Sequence, residues 1–218
     1  MSVKSRVEAL LQEITQVALQ KGRDPAKITV VAVSKYATGK QIEEAYAAGL
    51  RHFGESRLQT ALIKREEACL PNDIVWHFIG PIQSNKAALI AEYFSCVHSV
   101  SSLKIAKIIS EISLKKGKVT SCFLQINIYG DPSKQGFTEE EFWRCKEELD
   151  SLEGIHIEGL MTMAPHVKEE EKIRDCFQKL HSIQTEYPHF SMGMSEDFKV
   201  AIEEGSTHIR IGSYLFPG

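Results

Sequence analysis

Short apolar runs alternate with longer amphipathic stretches along this chain. The first stretch places Val3, Val7, Leu10, Leu11, Ile14, Val17 and Ala18 at helical spacing among charges. It predicts an N-terminal helix over 1–21 where a signal peptide would carry an unbroken apolar core, and this points to the cytoplasm. Further on, the pattern predicts strands at 28–34, 51–54, 74–79, 95–98, 119–127, 155–161, 189–192 and 207–211. Helices are expected between them at 40–48, 56–68, 84–93, 102–116, 138–150, 168–186 and 195–204. Eight strands separated by helices is the count of an α/β fold of the (β/α)8 TIM-barrel type, with a doubly wound open sheet as the alternative. No linker interrupts the alternation, so 1–218 is read as one domain with 1–21 packing on the barrel. Few residues follow the last strand, and the N-terminal helix is expected to take over part of the packing of a long eighth helix.

Barrel active sites collect at the carboxyl ends of the strands, and the unusual residues fall there. Lys35 follows strand one, Gly54-Glu55-Ser56 strand two and Gly80-Pro81-Ile82-Gln83-Ser84-Asn85-Lys86 strand three. Asn127 ends strand five, Met161-Thr162-Met163-Ala164-Pro165 strand six, Gly193-Met194-Ser195 strand seven and Arg210-Ile211-Gly212-Ser213 strand eight. Lys35 closes the apolar run 28–34, and a buried amine is costly unless it pairs with a charge, binds phosphate or forms an imine. Its plainer reading is a lysine that snorkels to solvent. Ser195 precedes a helical stretch, where it is either a simple N-cap or part of an anion site with the free amides. The Gly212-Ser213 turn offers a second set of closely approachable amides. Arg210 has the opposite parity to Ile209 and Ile211, so it faces the site or pairs with a carboxylate such as Glu55. His208 shares that parity one layer deeper and reads as a neutral core histidine. An amine beside a phosphate pocket suits a ligand with an aldehyde and a phosphate, such as pyridoxal 5′-phosphate or a phosphosugar carbonyl.

Composition narrows the partners. With 218 residues, 43% hydrophobic and 25% charged, the chain can build a full-sized core. A net charge of -3 gives no electrostatic case for nucleic acid or an anionic membrane, and no apolar stretch approaches membrane-spanning length. Small molecules or proteins are the expected partners. The five cysteines, Cys69, Cys96, Cys122, Cys145 and Cys176, are widely spaced without a C-x-x-C. They read as reduced packing thiols, with neither a disulfide framework nor a zinc site.

Several segments together resemble the YggS/PROSC family of pyridoxal phosphate homeostasis proteins. They are Val31-Ala32-Val33-Ser34-Lys35, Phe53-Gly54-Glu55, the block from Trp76 to Lys86, Pro132-Ser133-Lys134-Gln135-Gly136-Phe137, Gly159-Leu160-Met161-Thr162-Met163, the block from Ser191 to Phe198, and the stretch from Glu204 to Gly212. The resemblance implies a barrel like the N-terminal domain of alanine racemase, with pyridoxal 5′-phosphate held as a Schiff base on Lys35. It assigns the phosphate to Ser195, Gly212 and Ser213, the pyridine nitrogen to Arg210, and the ring pocket to Asn127, His77 and Met163. The family usually has Asn where Ser56 stands and an aromatic residue at Arg57. The shorter Ser56 side chain puts one cofactor hydrogen bond, worth on the order of 1 kcal/mol, in question.

The same resemblance implies buffering or transfer of the cofactor without robust catalysis, with apoenzymes that require it as candidate recipients and a monomer as the expected state. A guanidinium at the ring nitrogen makes a weaker electron sink than a protonated ring paired with a carboxylate. Racemisation also needs a second acid/base, which in alanine racemase is a tyrosine of a C-terminal domain for which no counterpart is expected here. Tyr36 and Tyr129 are candidate substitutes, with amphipathic loop tyrosines as their plainer reading. The enzyme alternatives are an amino-acid racemase or decarboxylase, and a phosphosugar aldolase using Lys35.

Overall fold

The computed structural model describes residues 1–67, 70–132, 134–183 and 185–217. Cys69 and Ser133 lie outside the described residues. The strands are β1 (Thr29–Val33), β2 (His52–Glu55), β3 (Val75–Phe78), β4 (Cys96–Val100), β5 (Thr120–Gln125), β6 (Ile155–Met161), β7 (His189–Met194) and β8 (His208–Ile211). They pair in chain order and β1 closes on β8, so the sheet is an all-parallel barrel. The helices are α1 (Val3–Gln20), α2 (Gly39–Ala47), α3 (Leu58–Glu67), α4 (Ser84–Tyr93), α5 (Leu103–Lys115), α6 (Glu139–Asp150), α7 (Glu170–Ser182) and α8 (Phe198–Glu203). A 3-10 turn at Pro25–Lys27 leads into β1.

The opening helix starts where Ser2 caps the Ser5 amide at 3.1 Å, and it buries Val3, Val7, Leu10, Ile14, Val17 and Ala18. Leu11 falls off that stripe and is 39% exposed. The buried face packs on α2 and α8, which puts α1 in the gap that a long final helix would fill. The weak-looking runs at 51–54 and 95–98 do form strands, because barrel closure supplies each with two partners. At β5 the ladder stops at Gln125, two residues before the expected end, since Asn127 turns its side chain into the following loop.

Period-two alternation separates two cores. Outward residues such as Val30, Ala32, Phe53, Trp76, Phe78, Val97, Leu124 and Ile209 pack with the helices. A small apolar group of Cys96, Phe123 and Met161 fills part of the barrel interior. Apart from Val31 and Val33, much of the rest of that interior is polar, unusual for a fold whose lumen is commonly packed with branched aliphatics.

Gly193 fixes the approach of β7 to α8. Its φ is +94°, and a Cβ there would lie 2.5 Å from the Ala201 Cβ. Gly193→Ala should therefore destabilise the fold by about 2–4 kcal/mol, combining backbone strain with overpacking. Urea denaturation measures this, and a loss below ~0.5 kcal/mol would show that the close approach is not needed. Among the described residues no helix is long and apolar enough to cross a membrane.

Candidate functional site

Lys35 stands two residues past β1 with the parity of Val31 and Val33. Val31 is in register with Arg210 on β8, and the Val33 Cβ lies 3.4 Å from the point a Cβ on Gly212 would occupy. The lysine thus rises from the strand neighbouring Arg210 and Gly212, nearer the carboxyl rim. Its side chain is exposed, with Nζ 5.0 Å from the centre of the Tyr36 ring. It lines one pocket with Ser56, Glu55, Arg57 and Thr60.

The turn carrying Lys35 has a charged floor on the helix side. Ser34 Oγ donates to Glu55 Oε1 at 2.6 Å, and Lys64 Nζ of α3 donates to the same oxygen at 2.8 Å and to the Ser34 carbonyl. Glu55 is fully buried and Lys64 nearly so. The expected alternative of a Glu55–Arg210 pair is therefore not formed, because the two side chains leave opposite faces of the sheet.

Arg210 is 5% exposed inside the barrel. Its Nη1 donates to the Ser191 carbonyl at 2.8 Å and to Ser191 Oγ at 2.6 Å, and Nη2 donates to the Thr162 carbonyl at 3.0 Å. Burial lowers its pKa to about 10, against the opposing pull of Asp197, so it is cationic at neutral pH. Beyond Ser191 the hydrogen bonds continue to His98 Nδ1 (2.7 Å), from His98 Nε2 to His77 Nδ1 (2.8 Å), and from His77 Nε2 to His52 Nδ1 (2.9 Å). Burial drives His98 and His77 well below the ordinary imidazole value, with neighbouring imidazoles adding to the effect. It also lowers His52. His208 packs against Phe123 and is lowered to about 3, mainly by burial and then by His189, which agrees with its reading as a neutral core residue.

His77, Cys96 and His98 bring three donor atoms within 4.8 Å of one another. A tetrahedral ion with bonds of about 2.0–2.1 Å would hold two imidazole nitrogens roughly 3.3 Å apart. Here they are 2.8 Å apart and share a proton, so this is a hydrogen-bonded pair.

On the other side of the rim, Ser195 Oγ accepts from the backbone amides of Gly212 at 3.1 Å and Tyr214 at 3.3 Å. It is not the simple helix cap that was the plainer of its two sequence readings. Asp197 holds that position, its carboxylate accepting from the Met194 amide, and α8 starts only at Phe198. Ser213 is exposed between the two amide donors. Asn127 and Met163 line a second pocket, with Gln125, Lys134 and Thr162. There the Asn127 amide donates to the Asp131 and Lys134 carbonyls, while its oxygen accepts from the Asp131 amide. His77 lies in the barrel interior, 3% exposed, with both ring nitrogens taken by other histidines.

This geometry has close counterparts. The family model for the alanine racemase N-terminal domain matches residues 8–218. A pyridoxal phosphate homeostasis protein of Pseudomonas aeruginosa is 42% identical over 217 residues, covering 97% of this chain and 92% of its own. The chain belongs to the pyridoxal phosphate homeostasis protein family. The family's Escherichia coli K12 member is 35% identical over 213 residues, covering 94% of this chain and 91% of its own. Among solved structures, PipY of Synechococcus elongatus with PLP bound superposes with a TM-score of 0.85 at 32% identity, covering 99% of this chain and 100% of that one. Alanine racemase from Bartonella henselae shares the fold, with a TM-score of 0.73 at 15% identity over 60% of its length.

Several residues around the site escaped the sequence reading. Ser191 and Thr162 hold the Arg210 guanidinium, and His98 and His52 extend the chain below it. The signal available was parity, since His52, His77, His98 and Ser191 all occupy inward positions where apolar residues would be expected. Lys64 gave no such signal, because its burial depends on the packing of α3 against β2.

Proposed function

We propose that this chain binds pyridoxal 5′-phosphate at the carboxyl rim of the barrel and holds it for buffering or transfer. Lys35 would retain it as a Schiff base, its Nζ condensing with the aldehyde carbon and releasing water. Arg210 would face the ring nitrogen, and Ser195 with the Gly212, Ser213 and Tyr214 turn would take the phosphate. Ser56, Asn127 and Met163 border the remaining space; His77 would act from beneath through its neighbours.

The observation that carries this reading is the placement of Lys35 above Arg210 on hydrogen-bonded neighbouring strands. The donor set fits the group. The five N–H donors of Arg210 make three bonds to Ser191 and Thr162, leaving donors for an acceptor nitrogen. Two amides converge on one hydroxyl at Ser195, an arrangement that suits a phosphate oxygen. Bound there, the cofactor would supply a reactive aldehyde and an electron-withdrawing ring. The PLP-bound PipY structure supports the assignment by likeness.

The protein's own groups favour retention over turnover. Arg210 is a donor that cannot hand a full proton to the ring and stay charged. Tyr129 is tied to Asp175 Oδ2 at 3.0 Å, and burial followed by that carboxylate raises its pKa, so it makes a poor acid/base. Tyr36 is 72% exposed. The proposed role therefore excludes robust catalysis, and intracellular apoenzymes are the proposed recipients of the cofactor from a monomeric protein.

Borohydride reduction of the protein loaded with pyridoxal phosphate, followed by peptide mapping, tests the site. The pyridoxyl adduct should fall on the peptide containing Lys35, and Lys35→Ala should lose both the adduct and the visible absorbance. An adduct on another lysine would refute the assignment. Steady amino-acid turnover that vanishes in Lys35→Ala would replace the storage reading with a racemase or decarboxylase.

A further inference from the structure

A pocket of about 110 Å³ opens beside Lys35 on the β2 side of the rim, walled by Tyr36, Glu55, Ser56, Arg57 and Thr60. Two of its side chains are cations, and among the described residues neither Lys35 nor Arg57 has a carboxylate partner. Lys35 Nζ rests over the Tyr36 ring, and Arg57 is exposed on the turn between β2 and α3. The Glu55 carboxylate in the wall is already matched by Lys64 and Ser34. The Ser56 and Thr60 hydroxyls also have no hydrogen-bond partner among the described residues, so four side chains with spare donors line one cavity. The backbone beneath them is fixed. Ser34, just before Lys35, is bonded to Glu55, and its amide donates to the Gly54 carbonyl at 2.9 Å. Gly80 approaches so closely that a Cβ there would lie 2.1 Å from the Ser56 carbonyl oxygen. Two unpaired cations held on such a base repel each other, and a bound anion relieves that repulsion.

We propose that this pocket is a carboxylate subsite for an α-amino acid, seated by Arg57 with Ser56 and Thr60, whose amine exchanges with Lys35 and so frees the held ligand. This rests on the ligand assignment above. Strand order separates the pocket from the proposed phosphate seat: β1 stands between β8 and β2, with Ser195 and Gly212 on one side of Lys35 and Arg57 on the other. The planar fork of Arg57 pairs with a carboxylate through two parallel bonds, and the hydroxyls of Ser56 and Thr60 can meet its remaining lone pairs. A primary amine one carbon away is then carried toward Lys35. It reacts as the neutral amine, which the neighbouring cations favour. The incoming nitrogen bonds to the carbon held by Lys35, and the bond from that carbon to Lys35 Nζ breaks. With the imine protonated on Nζ before and on the incoming nitrogen after, one proton passes from the incoming nitrogen to Nζ. One imine replaces another; nothing is oxidised or reduced, and no water is consumed. Lys35 is left as a free amine, and the ligand departs on the amino acid.

NMR of the ligand-free protein labelled with nitrogen-15 in arginine tests the subsite by itself. The Arg57 Nε signal, identified by its loss in Arg57→Gln, should move with L-alanine and with propionate and stay still with L-alaninamide. Equal movement with L-alaninamide would overturn the carboxylate subsite, and so would tighter saturation by inorganic phosphate. The exchange is read on protein loaded with pyridoxal phosphate, as the rate at which the borohydride-trapped adduct on Lys35 declines after each amine is added. In Arg57→Gln the ratio of the L-alanine rate to the L-alaninamide rate should fall about tenfold, the worth of a charged hydrogen bond. Taking the ratio cancels the different basicities of the two amines. An unchanged ratio would refute the role of Arg57. No adduct on Lys35 before any amine is added would refute the ligand assignment and the exchange with it, while the ligand-free Arg57 signal still decides the subsite.

Discussion

Lys64→Met should be among the most damaging single substitutions in this protein, with an expected loss of ~3–5 kcal/mol of folding stability. The ion pair it breaks is buried, Glu55 being fully inaccessible and the Lys64 side chain 11% exposed. Glu55 Oε1 receives both Lys64 Nζ and Ser34 Oγ, while Oε2 has no hydrogen-bond partner. Removing the lysine leaves a carboxylate with a single hydroxyl donor in a low-dielectric layer between β2 and α3. The methionine matches the lysine stem in length and fills the space, so lost packing contributes little. Glu55→Gln combined with Lys64→Met removes the stranded charge and should recover well over half of the loss, because a neutral buried pair avoids most of the desolvation cost. Urea denaturation of both single variants and the double variant reads this as a cycle. If Lys64→Met cost less than 1 kcal/mol, the pair would be wet and not structural. A second consequence concerns the site. Ser34 is held by this pair and precedes Lys35, so the single variant should also weaken the proposed retention of the cofactor by Lys35.

That pair also shows what sequence patterns can and cannot reveal. Strand parity placed Arg210 and His208 on the inward face, because alternation along a strand is a local property that the successive runs repeat. The order of the rim motifs was readable for the same reason. A Glu55–Arg210 pair, the plainer alternative for Arg210, could not be separated by sequence, because the partner of Glu55 depends on where α3 docks, a tertiary fact with no periodic trace. For Ser195 the plainer reading, a helix cap, was the alternative that fell away, since a serine before a helical run is a common cap signal. Here the chain spends two more residues reaching Asp197, since Gly193 brings β7 so close to α8 that the helix begins late. Family likeness supplied the proposed ligand, which no spacing in the chain encodes. Of the interior histidines, only His77 (as a ring-pocket residue) and His208 (as a core histidine) were singled out; only the closed barrel, which brings β2, β3, β4 and β7 around one lumen, joins His52, His77 and His98 into a chain.

Acidification should unfold this protein earlier than its carboxylates alone would dictate, beginning near pH 6.5. An unfolded histidine titrates at about 6.5, whereas in the folded protein His208 is lowered to about 3 and His77 and His98 lie well below their ordinary value. Between those limits the unfolded chain binds protons that the folded barrel refuses, so stability is complete above pH 6.5 and falls as pH drops. For His208 this gives a slope approaching about 1.4 kcal/mol per pH unit and a loss of roughly 2 kcal/mol by pH 5, and His52, His77 and His98 act in the same direction. Against an ordinary domain stability of about 5–15 kcal/mol, that loss is substantial. The carboxylates held low by surface partners, such as Glu13 and Asp175, lose their contribution only below about pH 4.5. Asp197 works in the opposite sense, because burial raises its pKa and protonation relieves the folded state. The window from pH 6.5 to 5 therefore belongs to the histidines. Urea titrations across it should show stability falling as pH drops, and His208→Asn should reduce the slope by about 1.4 kcal/mol per pH unit whatever its effect on absolute stability. A flat profile down to pH 5 would mean that the interior histidines take up protons in the folded barrel, and the neutral chain beneath Arg210 would then have to be abandoned.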